Sequence, residues 1–270
     1  MAGSRAILDF LFSRTSTGSV PYGCSEEDAA RQTQDTGSDY QQIWEFVQSA
    51  TMTSRERIVA LCDAAHYIVD SEIPGDVVEC GVWKGGSMMA AAKALIDSGR
   101  TDRRLWLFDT FSGMNSPTGK DVDYLGKAAA ELLQEHDPEQ SDSVWCRAAI
   151  EEVHQNIEST GYPMSRAKFI AGEVESTLAI EKNRPQQIAI LRLDTDWYES
   201  TKVALEQLYP RLQPGGVLII DDYGHWQGCR DAVDEYFARC DEKLFFNRID
   251  YTGRLAIKPG SKQLQVTRAH

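Results

Sequence analysis

Hydrophobic positions along this chain fall into short unbroken runs that alternate with stretches of helical period. Residues 76–80, 104–109, 168–171, 188–194 and 217–220 are apolar runs of strand length bounded by turn residues, and such runs read as strands buried on both faces. Between them, apolar residues recur at helical spacing from Tyr40 (Ile43, Phe46, Val47), after Thr53-Ser54-Arg55-Glu56 (Ile58, Leu61, Ala65, Ile68), and through 87–97, 197–209 and 228–239. The Thr53 to Glu56 spacing predicts a capping box, with Glu56 reaching back to the cap. Pro214-Gly215-Gly216 predicts a turn into the fifth strand. Residues 244–249 and 254–257, flanking Thr252-Gly253, predict a closing hairpin. The alternation predicts an α/β fold, a mostly parallel sheet with an antiparallel C-terminal edge.

Two segments break this rhythm. Residues 114–160 predict a long helical insertion carrying Asp121, Asp123, Tyr124, Trp145 and Glu151, placed as a lid over the carboxyl edge of the sheet. Residues 1–40, rich in Ser, Thr, Gly, Asp and Gln from residue 11, are expected to form a mobile arm, or one that orders only against a partner or ligand. Residues 41–260 are then one domain and 261–270 a tail.

Candidate chemistry sits where the strands end. Ile190-Leu191-Arg192-Leu193 stops at Asp194-Thr195-Asp196, and Val217-Leu218-Ile219-Ile220 stops at Asp221-Asp222. Parallel strands open their carboxyl ends to a shared crevice where α/β proteins bind ligands. If the two strands are neighbours, Asp194, Asp221 and Asp222 converge, and converging carboxylates repel unless a cation sits between them. Mg²⁺ takes oxygen ligands of this kind. For any single Asp the plainer reading is a helix cap or turn residue; for the set it is not.

The first strand runs into Glu79-Cys80-Gly81-Val82-Trp83-Lys84-Gly85-Gly86-Ser87, a tight turn whose glycines let the backbone approach a ligand. Its spacing is not the G-x-G-x-x-G that cradles a pyrophosphate, and Glu79 would repel one. A cationic cofactor such as S-adenosylmethionine suits it better. Asp109, ending the second strand, stands where an acidic residue accepts hydrogen bonds from a ribose diol.

The formal net charge of -13 argues against a nucleic-acid or anionic-membrane partner. No apolar stretch approaches the roughly 20 residues of a spanning helix, and residues 1–10 lack a signal-peptide core. The six cysteines are scattered without a C-x-x-C pair, which speaks against a zinc site. Cys62 and Cys80 are expected to be buried thiols. A cytoplasmic protein fits these features.

With these motifs in order, the chain resembles the macrocin O-methyltransferase family, Mg²⁺-dependent enzymes that methylate sugar hydroxyls on macrolide and aminocoumarin antibiotics. The resemblance spans residues 45–258. It rests on residues 76–86, on Phe108-Asp109-Thr110-Phe111-Ser112-Gly113, on 172–178, on 193–201, on Pro214-Gly215-Gly216, and on Asp221-Asp222-Tyr223-Gly224. Ser112 stands where relatives often have Glu. The resemblance implies the class I methyltransferase (Rossmann-like) fold, a seven-stranded sheet with S-adenosylmethionine over its first strands. Glu79, Cys80, Gly81, Val82, Trp83 and Ser87 would then line the methionine moiety. Asp109, Thr110, Phe111, Ser112 and Gly113 would surround the ribose, and Gly172 and Glu173 would lie near the adenine. Thr51 and Met52 would also touch the cofactor. Asp194, Asp221 and Asp222 would hold Mg²⁺, and Asp196 would be the general base.

The implied acceptor is a small-molecule sugar or glycoside presenting a vicinal diol. Asp196-Trp197-Tyr198-Glu199 also has capping-box spacing, a role that competes with catalysis for one carboxylate. His225 is the second candidate base. Trp197, Tyr198, Tyr223 and Trp226 are candidates for an aromatic wall, or for plain packing. Alternative readings are a catechol- or phenol-type O-methyltransferase and a non-catalytic methyltransferase-like binding protein. A homodimer is the default assembly, because closed two-fold symmetry is commonest.

Overall fold

The computed structural model describes residues 40–137 and 144–260. The expected arm therefore lies, apart from Tyr40, outside the described residues, as does the tail. Seven strands form one sheet in the order β3-β2-β1-β4-β5-β7-β6. They are β1 (Asp76–Cys80), β2 (Leu105–Asp109), β3 (Ala167–Ala171), β4 (Ile188–Leu193), β5 (Leu212–Ile220), β6 (Asn247–Arg248) and β7 (Arg254–Ile257). The pairs from β3 to β5 are parallel, and β7 joins antiparallel to β5 and to β6. This is the expected mixed sheet, of the class I methyltransferase kind.

Side chains alternate across the central strands, so each strand feeds two cores. Val77, Leu105, Leu107, Ile190, Val217 and Ile219 pack under α1 (Gln41–Val47), α2 (Arg55–Asp70) and α3 (Gly86–Asp97). Val78, Trp106, Phe108, Leu191, Leu193, Leu218 and Ile220 pack on the opposite face. Burial on both faces explains why these strands read as unbroken apolar runs rather than alternating ones. The run is broken at Glu79 and Arg192, which sit opposite each other in the β1–β4 register, on the face of Val77 and Ile190.

Register also sets the strand ends. Cys80 pairs with Leu193, and Leu193 with Ile220. The ladder then runs one bond further: Asp194 N–H donates to Cys80 O (2.8 Å) and Asp221 N–H to Leu193 O (2.9 Å). Gly81 N–H likewise donates to Phe108 O, and Gly172 N–H to Asp109 O. Four loops thus start from one level at one edge of the sheet.

Several expectations change in detail. The cap of α2 is Ser54, whose side chain accepts from Arg57 N–H, and no capping box forms; one residue's shift frees Thr53 to turn toward Asp221. Residues 214–216 lie within β5, as an irregular stretch of the strand rather than a turn before it. The strand expected over 244–249 shortens to Asn247–Arg248.

The insertion is not one long helix. Among the described residues it holds α4 (Ala129–Glu135) and α5 (Ile150–Ser159). α5 buries Val153 and Ile157 in the core shared with α3. Ahead of α4, Asp123 Oδ1 accepts the N–H groups of Leu125 and Lys127, a side-chain-stabilised turn that competes with helix. The layer opposite α2 and α3 includes α7 (Tyr198–Leu208) and α8 (Gln227–Arg239), which follow α6 (Val174–Thr177). No described helix is long and apolar enough to cross a membrane.

Asp121, fully buried, pins the insertion to the sheet. Its Oδ1 accepts Tyr198 N–H (2.7 Å) at the start of α7, and its Oδ2 accepts Thr118 N–H (2.6 Å) and Oγ1 (2.9 Å). Asp121→Ala strands these donors in the interior, at about 1–3 kcal/mol for an orphaned buried group. Urea unfolding is expected to show a loss of about 2–3 kcal/mol, with Asp121→Asn retaining more than half of the difference.

Candidate active site

One cavity of about 280 Å³ opens at the carboxyl edge of the sheet. Its wall includes Thr51, Met52, Gly81, Val82, Trp83, Ser87, Asp109, Thr110, Gly113, Gly172, Glu173, Asp194, Asp196, Asp221 and Asp222. Sequence reasoning thus named residues from separated segments that the fold brings to one wall.

Glycine makes this closeness possible. Gly81 has φ +82°, and a Cβ there would collide with the Asp194 carbonyl; one at Gly86 would lie 2.6 Å from Thr51 Cβ. Four non-glycine residues in the left-handed region, Trp83, Phe111, Cys146 and Asp196, lie in the loops around the cavity. For ordinary side chains this conformation is uncommon, and it concentrates at functional sites. At Asp196 (φ +56°) a three-residue turn, closed by Trp197 N–H on Thr195 O (2.5 Å), holds the residue there. Asp196 does not cap α7: the capping residue is Trp197, without a side-chain bond, and Asp121 takes Tyr198 N–H instead. The competition anticipated for Asp196 is resolved by a carboxylate from the insertion.

Other predicted residues are placed differently. Glu79 is 2% exposed and does not line the cavity. A carboxylate inside a sheet requires a cation, and Arg192 Nη1 supplies one at 2.6 Å. Burial, partly offset by Arg192, still pushes the Glu79 carboxyl up to about 8. Cys80 points into the core, and burial raises its thiol. Phe111 packs toward Phe169, and Ser112 is exposed. Asp109 lines the cavity with both oxygens engaged: Oδ2 accepts Val82 and Trp83 N–H, and Oδ1 accepts Phe111 N–H (2.7 Å). It shapes the glycine turn as well as facing the cavity.

The acidic cluster is denser than the sequence suggested. Asp194, Asp221 and Asp222 bring one carboxylate oxygen each within 4.8 Å of one another. Two arginines that sequence reasoning passed over are already among them. Arg192 Nη1 reaches Asp194 Oδ2 (2.7 Å), while Arg192 Nη2 and Arg57 Nη1 both pair with Asp221. Arg57 Nε also pairs with Asp250 (3.0 Å), a residue likewise missed. Arg192 left a signal, a charge inside an apolar run; Arg57, on an amphipathic helix, left none. Burial first, then the neighbouring carboxylates, raises Asp196 and Asp222 well above the ordinary carboxylate range. Burial lowers His225, which also lines the cavity and bonds Tyr251 Oη (3.1 Å). Of the four aromatics considered for a wall, Trp197 and Trp226 line the cavity, whereas Tyr198 and Tyr223 do not.

The sequence model of the family described as Macrocin-O-methyltransferase (TylF) matches residues 5–256. The chain belongs to this family. Members of the macrocin O-methyltransferase family are O-methyltransferases, and this protein is one. A Streptomyces olivaceus relative, 8-demethyl-8-(2,3-dimethoxy-alpha-L-rhamnosyl)-tetracenomycin-C 4'-O-methyltransferase, is 36% identical over 203 residues, 75% of this chain and 73% of its own. Demethyldecarbamoylnovobiocin O-methyltransferase of Streptomyces niveus is 33% identical over 191 residues, 71% of this chain and 69% of its own. The solved structure of the O-methyltransferase NovP matches with a TM-score of 0.67 at 29% identity, covering 78% of this chain and 83% of that one.

Arg192 holds this family member's buried carboxylates together. Arg192→Met leaves Glu79 and Asp221 without their shared partner, and breaking a buried pair typically costs about 3–5 kcal/mol. Urea unfolding is expected to show a loss of that size, and Glu79→Gln in the same background should recover part of it, a coupling that a double-mutant cycle measures.

Proposed function

We propose that this O-methyltransferase moves a methyl group from S-adenosylmethionine to a hydroxyl of a sugar on a small-molecule glycoside, with Asp194, Asp221 and Asp222 holding Mg²⁺ and Asp196 as general base. The observation that carries the reading is the gathering of these four carboxylates on the wall of one cavity with the glycine turn. The names of the relatives support the acceptor class, since one refers to a rhamnosyl-bearing substrate.

The residues fit both groups. Asp222 Oδ2 is buried with no hydrogen-bond partner, and three clustered carboxylates are the oxygen donors that hard dications take. Asp221 already faces two guanidiniums, so its share in holding a cation is the smallest. The Trp83 indole N–H is a second buried atom without a partner, on the wall where the cofactor would lie. Thr51, Met52, Gly81, Val82, Trp83 and Ser87 would enclose the methionine end, Asp109, Thr110 and Gly113 the ribose, and Gly172 and Glu173 the adenine.

S-adenosylmethionine supplies an electrophilic methyl on a sulfonium, and Mg²⁺ supplies Lewis acidity that lowers the pKa of an acceptor hydroxyl. The chain's own residues do the rest. Asp196 takes the hydroxyl proton at a carboxylate oxygen as the oxygen–carbon bond forms and the carbon–sulfur bond breaks. Without a cation, burial first and then the neighbouring carboxylates raise both Asp196 and Asp222. The wall orients the two reactants, which lowers the barrier further.

Asp196→Asn is expected to lower kcat by about 10²–10⁴-fold while calorimetry still detects Mg²⁺ and S-adenosylhomocysteine. Near wild-type turnover would remove the base assignment and point to His225. Absence of S-adenosylhomocysteine binding would remove the cofactor assignment.

The raised carboxyls also set a pH dependence. Their contribution to stability is full below the unfolded value, about 3.9, and is lost as pH rises through the raised folded values. The cation-free protein should therefore lose stability toward alkaline pH. Cation binding must displace the held proton, so Mg²⁺ should raise Tm more at pH 8.5 than at pH 6, as thermal unfolding at the two pH values will read.

A further inference from the structure

At the mouth of the cavity the fold holds large apolar side chains in water. Tyr124 is 50% exposed, Leu125 68% and Tyr251 42%. Tyr124 and Leu125 form the tip of a tight turn, closed by Gly126 N–H on Asp123 O (2.9 Å) and by Asp123 Oδ1 on the N–H groups of Leu125 and Lys127 (2.8 Å each). The turn is fastened to the start of α8, where Gln227 N–H donates to Val122 O (2.9 Å) and Asp123 bridges Trp226. Exposed apolar side chains that sit together, as Tyr124 and Tyr251 do, are the kind that mark binding surfaces.

Ring contacts run from this tip inward. Tyr124 lies 5.4 Å from His225 and 6.3 Å from Tyr251, centroid to centroid. His225 lies 4.8 Å from Trp226, and Trp226 4.9 Å from Trp197. Trp226 and Asp196 line the same cavity. His225, Trp226, Trp197 and Tyr251 all line the cavity, so the tip is continuous with its wall. Among the described residues of that wall the sole Lys or Arg is Arg57, already paired with Asp221 and Asp250. Among the described residues an anionic group on that wall would meet no Lys or Arg beyond the paired Arg57, whereas an uncharged apolar body would meet aromatic faces.

We propose that Tyr124, Leu125, His225 and Tyr251 form an acceptor subsite, a shelf that takes the apolar aglycone of the glycoside while its sugar lies inward at Asp196. The subsite rests on the sugar O-methyltransferase reading above. It reads the aglycone, so its contribution is to acceptor affinity rather than to the chemical step.

The test compares 4-nitrophenyl α-L-rhamnopyranoside with methyl α-L-rhamnopyranoside, which share a sugar and differ in the group beyond it, in the presence of S-adenosylmethionine and Mg²⁺. The wild-type protein is expected to show a KM about tenfold lower for the aryl glycoside, the scale of a typical hot-spot contact. In a Tyr124→Ala/Leu125→Ala double variant the two KM values should come within about twofold, with kcat for the aryl glycoside much less affected. Tyr124→Phe should keep the preference, because ring packing does not need the hydroxyl. Calorimetric binding of S-adenosylhomocysteine checks that each variant is folded. Equal KM values in the wild type, or a preference that survives both the double variant and Tyr251→Ala, overturns the shelf and leaves sugar methylation standing. No turnover of either glycoside by protein that binds S-adenosylhomocysteine overturns the sugar reading and the shelf with it.

Discussion

The site depends on a row of buried charge laid across the sheet. Glu79 on β1, Arg192 on β4 and Asp221 just past β5 share one face of three neighbouring strands, and Arg192 touches the other two. Each charge alone would be intolerable in the interior; together they satisfy much of their hydrogen-bonding demand. The row fixes Asp194 and Asp221 side by side before any ligand arrives. It does so incompletely, because the carboxylates outnumber the guanidiniums and Asp222 Oδ2 keeps no partner. That surplus of carboxyl groups over guanidiniums is enclosed on the cavity wall.

Around this row the chain is tied by side-chain to backbone bonds rather than by regular structure. Asp109 gathers the N–H groups of two loops. Asp250 accepts Ser54 Oγ and the N–H groups of Thr252 and Gly253, so the C-terminal hairpin clasps the start of α2, where Thr53 and Arg57 meet Asp221. Asp121 joins the insertion to α7. Each is an acidic residue that accepts from backbone donors. Asp196 is left facing the cavity because Asp121 serves the helix start.

The cavity has two kinds of wall in consequence. Its deep end is polar and built on strand ends, with backbone positions set by the hydrogen-bond ladder. Its outer side carries Met114, Ala129, Leu132, Leu133, Val144 and Trp197, much of it supplied by the insertion. Loops of this kind can vary without disturbing the sheet.

Strand and helix order was legible in the sequence because burial on both faces leaves unbroken apolar runs and burial on one leaves helical period. The ends of those runs marked Asp194, Asp221 and Asp222, and glycine marked the turn at Gly81, since both are local features of chain chemistry. Tertiary structure alone decided which charges meet. Arg57 and Asp250 lie far apart in the chain and carry no local signature, so their pairing with the acidic cluster came only with the fold. The same holds for Glu79, whose place at a strand's end suggested a ligand contact until the β1–β4 register set it opposite Arg192. It holds too for the insertion, where turns stabilised by Asp side chains displaced a long helix. Sequence determines which residues can be charged, apolar or bent; register and packing decide which of them share a dielectric, and that sharing sets their chemistry.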